Sequence, residues 1–301
     1  HKVAIIGAGP AGLSAAYFLR RIGHEPVIFE KREQTGGMMK GVIPEYRLPS
    51  KVVDWEVQTI LDLGVEVKNG VEFGKDITFE TLERDGFEAV FIATGAWKVP
   101  ALKLENSDAV GVMDAVTFLE KVGKSITDLK GKKVVVIGDT NTAMDVVRSA
   151  ARLDCNVTSL VGCIQRKMSA NKNEVKRATE LGSELLFLTK PTRFIAENGK
   201  VSGVEYIEVQ YKDPKKALGE PLPVEGTEQT IDADLVVIAT DRVPDMTPFT
   251  DAEGNIPFKI NKKTGGIDCD KTSMQTSMPN VFVGGELHTG RSIIIQAVAD
   301  G

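Results

Sequence analysis

Cysteine is scarce in this 301-residue chain: Cys155, Cys163 and Cys269 are three in number, odd, and form no C-x-x-C pair. That excludes a disulfide framework and leaves no thiolate set for zinc or an iron–sulfur cluster, so each reads as an ordinary small residue. Histidine is as rare. His1, His24 and His288 form no metal constellation, and no Ser–His–Asp or paired-carboxylate pattern supports hydrolytic chemistry. Positive charge is not in excess either: 37 Lys and Arg against 42 Asp and Glu give a net charge of -5. That argues against a general nucleic-acid binder and against attraction to an anionic membrane. No apolar run approaches the roughly 18 residues that span a bilayer, and no signal peptide precedes the first strand. A soluble, cytoplasmic protein is expected, with neither nucleic acid nor membrane as partner. Strand patterning begins at Val3 without an initiator Met and the chain stops at Gly301 within a helical pattern, so a longer chain or complex is expected.

Apolar residues are ample. At 42% hydrophobic and 26% charged the chain buries a sizeable core, and its length allows two domains. The 29 glycines mark where the chemistry lies. Lys2 to Ile6 is a short β-branched run suited to a strand buried on both faces. Gly7, Gly9 and Gly12 follow as G-x-G-x-x-G, with Pro10 and Ala11 inside the motif. The first glycine allows a tight turn, the second lets backbone approach a pyrophosphate, and the third permits close helix–sheet packing. A helix is predicted from Leu13 to Ile22, stopped by Gly23, and a strand from Pro26 to Phe29. Glu30 stands eighteen residues after Gly12, where a carboxylate accepts bonds from a ribose diol. Strand, motif, helix, strand and acid together specify a dinucleotide site.

The next segment, EKREQTGGMMKGVIPEYRLP, carries a second glycine pair and a proline-containing loop in place of another helix. With GAGPAGLSAAYFLRRIGH, FEK, GGMM and IPEYRLP, the chain resembles the glutamate synthase small-subunit family. That family also includes the flavin modules of dihydropyrimidine dehydrogenase and of bifurcating ferredoxin–NADP transhydrogenases. The resemblance implies that these segments hold FAD, with Glu30 and Lys31 at the adenosine side and Gly37 and Met38 in the second glycine segment. It puts Arg47 near the cofactor's polar end, the alternative being a solvated surface arginine. By the same resemblance the backbone at Phe73 meets the adenine, unless this is simply a strand end. Val52 to Leu63 is predicted helical, Val65 to Lys68 a strand, and the residues after it β-rich. Ala89 to Ala93 forms an apolar strand running into Thr94 and Gly95, small residues fit for a ligand-facing strand end. Near the end of the chain, Gly284-Gly285-Glu286 matches a family G-G-D whose carboxylate accepts from a ribityl hydroxyl. The helix from Ile293 would lie beneath the isoalloxazine. His288 could lie near the flavin, or be an isolated loop histidine.

A second unit opens at Val134 to Ile137, with a helix predicted from Thr142 to Leu153 and a strand from Asn156 to Val161. Its turn reads Gly138-Asp139-Thr140-Asn141-Thr142-Ala143-Met144-Asp145, where the family has G-G-G-N-T/V-A-M-D. Thr140 adds a side chain where backbone should approach phosphates, and Asp139 adds negative charge. The tyrosine and two arginines that clamp the 2′-phosphate of NADPH in the family are Val161, Gly162 and Cys163 here, with Arg166 nearby in partial compensation. At Ala239-Thr240-Asp241-Arg242-Val243-Pro244-Asp245 the family has A-I-G-x-x-P-D, so Asp241 replaces another glycine. NADPH or NADH therefore remains a possible second ligand at an impaired site. Glu174 to Leu181 is predicted helical, and residues 194 to 231 form a meander with a charged tip at Asp213 to Lys216.

The expected fold is α/β, with two interleaved Rossmann-type three-layer domains in a two-dinucleotide-binding flavoprotein fold. The FAD-binding domain is expected at residues 1–97 and 250–301, a linker at 98–129, and the inserted nicotinamide-nucleotide-type domain at 130–249. The resemblance implies an FAD-dependent oxidoreductase or electron-transfer subunit working with an iron–sulfur domain or protein subunit. A conventional NAD(P)H-dependent oxidoreductase and a non-catalytic flavin-binding scaffold are the alternatives.

Overall fold

The structure, a computed structural model, describes residues 1–124, 128–290 and 292–301. Part of the expected linker, 125–127, and residue 291, ahead of the expected closing helix, lie outside the described residues. Two compact units are present, His1–Lys98 with Arg242–Gly301, and Val99–Asp241.

The first part of the first unit contains β1 (Lys2–Ile6), α1 (Pro10–Arg21), β2 (Glu25–Glu30), α2 (Met38–Gly41), α3 (Ser50–Leu61), β3 (Glu66–Asn69), α4 (Phe79–Arg84) and β4 (Ala89–Ile92). The second unit contains β5 (Val112–Asp114), α5 (Ala115–Gly123), β6 (Lys133–Ile137), α6 (Asn141–Arg152), β7 (Asn156–Val161), α7 (Lys172–Glu180), β8 (Glu184–Phe187), β9 (Thr189–Glu197), β10 (Lys200–Gln210), β11 (Leu222–Pro223), β12 (Gln229–Asp232) and β13 (Leu235–Ile238). The chain then returns to the first unit with β14 (Val281–Val283), α8 (Glu286–Thr289) and α9 (Ile294–Asp300).

In the first unit a five-stranded sheet runs β14-β4-β1-β2-β3, parallel throughout. Alternation along each strand splits the core. Ile5, Ile28 and Phe91 pack with Ala11, Ala15 and Ala297 on one face, where small alanines let α1 and α9 lie close. Ile6, Phe29 and Ile92 face the other way into an aromatic layer with Phe73, Phe249 and Phe258. Ile5 and Ile92 are fully buried, each such side chain stabilising the fold by about 1.5–3 kcal/mol. Residues 70–88 depart from the β-rich expectation because α4 lies there. Thr78 accepts from the Thr81 backbone N–H at 3.3 Å, and the Thr81 hydroxyl accepts from the Thr78 N–H at 2.8 Å. This reciprocal cap supports a six-residue helix whose single buried side chain, Leu82, gives almost no periodic signal.

The second unit repeats the plan with a parallel sheet ordered β5-β13-β6-β7-β8. The antiparallel β9 supplies Phe194, β10 supplies Val204 and Tyr206, and β12 packs Ile231 against a core shared with Val135, Leu160 and Val236. The helices α6 and α7 are joined by the buried Arg148–Glu174 ion pair, to which Arg177 adds a second contact at 3.3 Å. Residues 99–124 and 128–129 of the expected linker belong instead to this unit. Its β5 pairs with β13, and Asp114 caps α5 by accepting from the Thr117 N–H at 2.9 Å. Three residues of strand are too few for periodicity to reveal. The later boundary also moves, from 249/250 to 241/242, because Val243 pairs antiparallel with Lys98 in the first unit.

Candidate functional site

The three motif glycines of the first unit have different jobs. At Gly7, φ is +106° and an added Cβ would sit 2.6 Å from the Ala93 carbonyl oxygen; at Gly12 it would sit 2.0 Å from that of Gly7. Both are required by the protein's own packing. At Gly9 nothing lies within 4 Å of an added Cβ. This glycine leaves a backbone approach open at the N-terminus of α1, whose first turn holds Pro10 and Ala11. The second glycine pair lies on the same loop: the Gly36 N–H donates to Ala8 O at 2.9 Å, and Gly37, with φ +56°, has room for no side chain because a Cβ would be 2.9 Å from Gly9 Cα.

Other expected residues converge on this loop. Glu30 ends β2 only 7% exposed, accepting from the Ala8 N–H at 2.8 Å and the Arg32 N–H at 2.9 Å. Those two bonds leave acceptor capacity on both carboxylate oxygens. Thr94 and Gly95 follow β4, and Ala93, against which Gly7 packs, donates its N–H to Ile6 O at 2.8 Å. The Thr94 hydroxyl is buried and has no hydrogen-bond partner among the described residues. Gly285 touches the same helix end, since its added Cβ would be 3.1 Å from the Ala11 Cβ. The strand ends, small residues and an unsatisfied hydroxyl make a polar cradle at the carboxyl edge of a parallel sheet, where nucleotides bind in such folds. A bound dinucleotide fits these groups.

Sequence reasoning missed Arg242. Its Nη2 and Nη1 donate to Glu286 Oε1 and Oε2 at 2.8 and 3.0 Å, a bidentate pair, and Nη1 also donates to Ala96 O at 2.8 Å. The Met38 thioether packs on Nη1. Glu286 accepts in addition from the Ser292 N–H at 3.2 Å. The arginine stands beside Asp241, the residue that drew notice, and its only sequence cue is an acid at 286 one methylene longer than the family's.

The remaining expected residues lie in surface, core and helix-end settings. Lys31 is exposed and pairs with Glu72 at 2.6 Å. Arg47 is an exposed residue of a turn, its N–H donating to Pro44 O at 2.8 Å. The Phe73 ring belongs to the core, 4.8 Å from the Phe79 ring and 5.3 Å from that of Phe249. Ile293 is 62% exposed and precedes α9 as its N-cap. His288 sits on α8 with Nδ1 3.2 Å from Ile267 O and 3.4 Å from the Cys269 sulfur. Burial, then Asp268, Asp270 and Asp300, pushes the Cys269 thiol up to about 11, so it is no thiolate at neutral pH.

In the second unit Gly138 mirrors Gly7: φ is +149° and an added Cβ would be 2.3 Å from Ala239 O. Thr140 departs from the expectation that it intrudes on the phosphate approach. It is 2% exposed; its hydroxyl donates to Ala239 O at 3.1 Å and accepts from the Ala143 N–H at 3.0 Å, capping α6. Asn141 Oδ1 accepts from the Asn171 N–H at 2.8 Å, and Thr142 lies half-buried in the first turn. Asp139 places a carboxylate oxygen 3.6 Å from the Cys163 sulfur, just past the end of β7. Burial first, then the Asp139 charge and hydrogen bond, pushes that thiol up to about 11. Arg166 donates to Lys215 O at 2.8 Å, tying it to the charged tip, and Asp241 is exposed after β13. Tyr211, unremarked in the sequence, is buried here, and burial followed by the nearby Cys163 raises its phenol.

Fold and motifs together define a two-dinucleotide flavoprotein of oxidoreductase type. The chain belongs to the pyridine nucleotide-disulphide oxidoreductase family, whose profile matches residues 1–301. It is 37% identical over its whole length to the NADP(+)-dependent formate dehydrogenase subunit beta of Moorella thermoacetica, of which it spans 42%. It is 32% identical to the glutamate synthase (NADPH) small chain of Escherichia coli, spanning 66% of that protein. The relatives agree with the resemblance read from the motifs. Among solved structures, Mycobacterium tuberculosis FprA in complex with NADPH matches with a TM-score of 0.81 at 16% identity, over all of this chain and 82% of that one. This last likeness speaks for the fold. No helix among the described residues is long and apolar enough to cross a membrane.

Proposed function

We infer that this chain is the flavin module of a cytoplasmic electron-transfer subunit, passing electrons between a donor and an iron–sulfur domain or protein partner, with weakened use of nicotinamide nucleotide. FAD, when bound, supplies acceptance and release of a hydride or of single electrons. The chain's own residues bind and orient it. Gly9 leaves backbone open to the pyrophosphate, Glu30 accepts from the ribose, Thr94 offers an unsatisfied hydroxyl, and Glu286 keeps one lone-pair position for a ribityl hydroxyl. Subunit membership is supported by the printed names of the relatives, a beta subunit and a small chain, of which this chain spans only part.

The weakened nicotinamide site rests on one observation, the Asp139 carboxylate against Cys163 at the end of β7. The resemblance implies a basic clamp there, and a carboxylate in its place repels a 2′-phosphate. A second reading, a conventional NAD(P)H-dependent oxidoreductase, is favoured by Thr140, whose side chain is enclosed by protein and leaves the loop's approach unobstructed. Anaerobic titration of the FAD-loaded protein with NADH, NADPH and a low-potential donor separates the readings. Bleaching of the flavin bands by the low-potential donor alone is expected. Rapid bleaching by NADPH would overturn the weakened site, and a flavin inert to every donor would leave a scaffold.

A further inference from the structure

Arg242 is a largely covered charge that touches three of the segments assigned to the flavin. Met38, Ala96 next to Gly95, and Glu286 are far apart in the chain, and all three meet its guanidinium. A guanidinium carries five N–H donors. Both on Nη1 are engaged, by Ala96 O and Glu286 Oε2, and one on Nη2 by Glu286 Oε1. The Nε–H and the second Nη2–H have no partner among the described residues, although the side chain is only 10% exposed. These two donors lie on one edge of the planar group and form a second fork, the geometry that grips a carbonyl or an anionic heteroatom pair.

We propose that Arg242, locked in place by Glu286, is a flavin-binding residue whose vacant N–H edge meets the polar edge of the isoalloxazine and raises its reduction potential. Protein covers nine-tenths of the side chain and leaves this edge open, the setting of a donor pair that faces a ligand. A flavin pyrimidine edge gains negative charge on reduction, and a fixed cation beside it favours the reduced form; this is the protein's electrostatic share of the chemistry. The pairing also accounts for the longer acid. Glu286 serves as the anchor of the arginine while keeping one acceptor position. The inference rests on the assignment of FAD to the first unit.

The test compares the FAD-loaded protein with Arg242→Met, Arg242→Lys and the double variant Arg242→Met/Glu286→Gln, reading FAD affinity, midpoint potential and thermal midpoint separately. Arg242→Met removes the cation and strands Glu286, so the two-electron equilibrium shifts at least tenfold toward the oxidised form, equivalent to about 30 mV. Arg242→Lys keeps the charge and loses the fork: the potential stays within about threefold of the original in equilibrium terms while FAD affinity falls about tenfold. The double variant, with no stranded carboxylate, recovers part of the potential. An unchanged potential with only a lowered thermal midpoint would make Arg242 a structural tie and overturn the proposal. If Arg242→Met does not fold, an unchanged FAD affinity in Arg242→Lys overturns it equally. Failure of the unsubstituted protein to bind FAD would instead sink the cofactor assignment on which it depends.

Discussion

Single glycines carry opposite consequences here although they belong to one motif. Gly12 is needed by the protein itself, because its missing Cβ would be 2.0 Å from Gly7 O, and Gly12→Ala therefore costs about 3 kcal/mol through overpacking. Gly9 has φ -76° and nothing within 4 Å of an added Cβ, so Gly9→Ala should fold normally. Its methyl would occupy the cofactor's approach, and FAD affinity should drop at least tenfold, about 1.4 kcal/mol. Urea unfolding of the apoprotein and equilibrium dialysis with FAD check the pair. A Gly9→Ala protein that binds FAD normally would remove this glycine from the site. The motif spacing singled out three glycines, and only the distances show which one the protein's own packing leaves open.

At the level of elements, α6 shows how a departure from a family pattern can be absorbed. Thr140 caps the helix through Ala143 and reaches Ala239 O across the sheet end. Thr140→Val keeps the shape and loses both bonds, a cost of about 1–2 kcal/mol measurable by urea unfolding. In the same loop, Thr140→Gly should leave NADPH affinity within about threefold, while Asp139→Gly, which removes a carboxylate from the β7 end, should raise it about tenfold by isothermal titration. Equal gains from both would mean that Thr140 does obstruct the approach. The sequence located this loop between β6 and α6. It could not give the direction of the Thr140 side chain, because a cap and an obstruction have the same residue at the same position.

Across the whole molecule the scattered thiols share one property. Cys155, Cys163 and Cys269 are each pushed from 9.0 to about 11, with burial the largest cause in all three. A raised thiol pKa means that the folded chain holds its protons longer than the unfolded chain. The contribution to stability is therefore complete below pH 9 and is lost as pH climbs from 9 toward about 11. The thermal midpoint of the native protein should fall faster over that range than that of a variant with all three cysteines changed to serine. A constant difference between the two from pH 8 to pH 11 would contradict the burial of these groups. This property crosses both units and has no local sequence cue, since burial is set by what packs from elsewhere.

The sequence by itself determined the parallel βαβ openings, the glycine loops, the acid at Glu30 and the family, because each depends on neighbours within some thirty residues and on strict steric limits. The helix from 79 to 84, the place of 99–124 in the second unit and the boundary at 241/242 needed the fold, since short elements acquire their identity from pairing partners. So did the Arg242–Glu286 pair, 44 residues apart, whose members meet through the return of the chain to its first sheet. Long-range charge pairing has no period and no spacing, and only tertiary structure decides it.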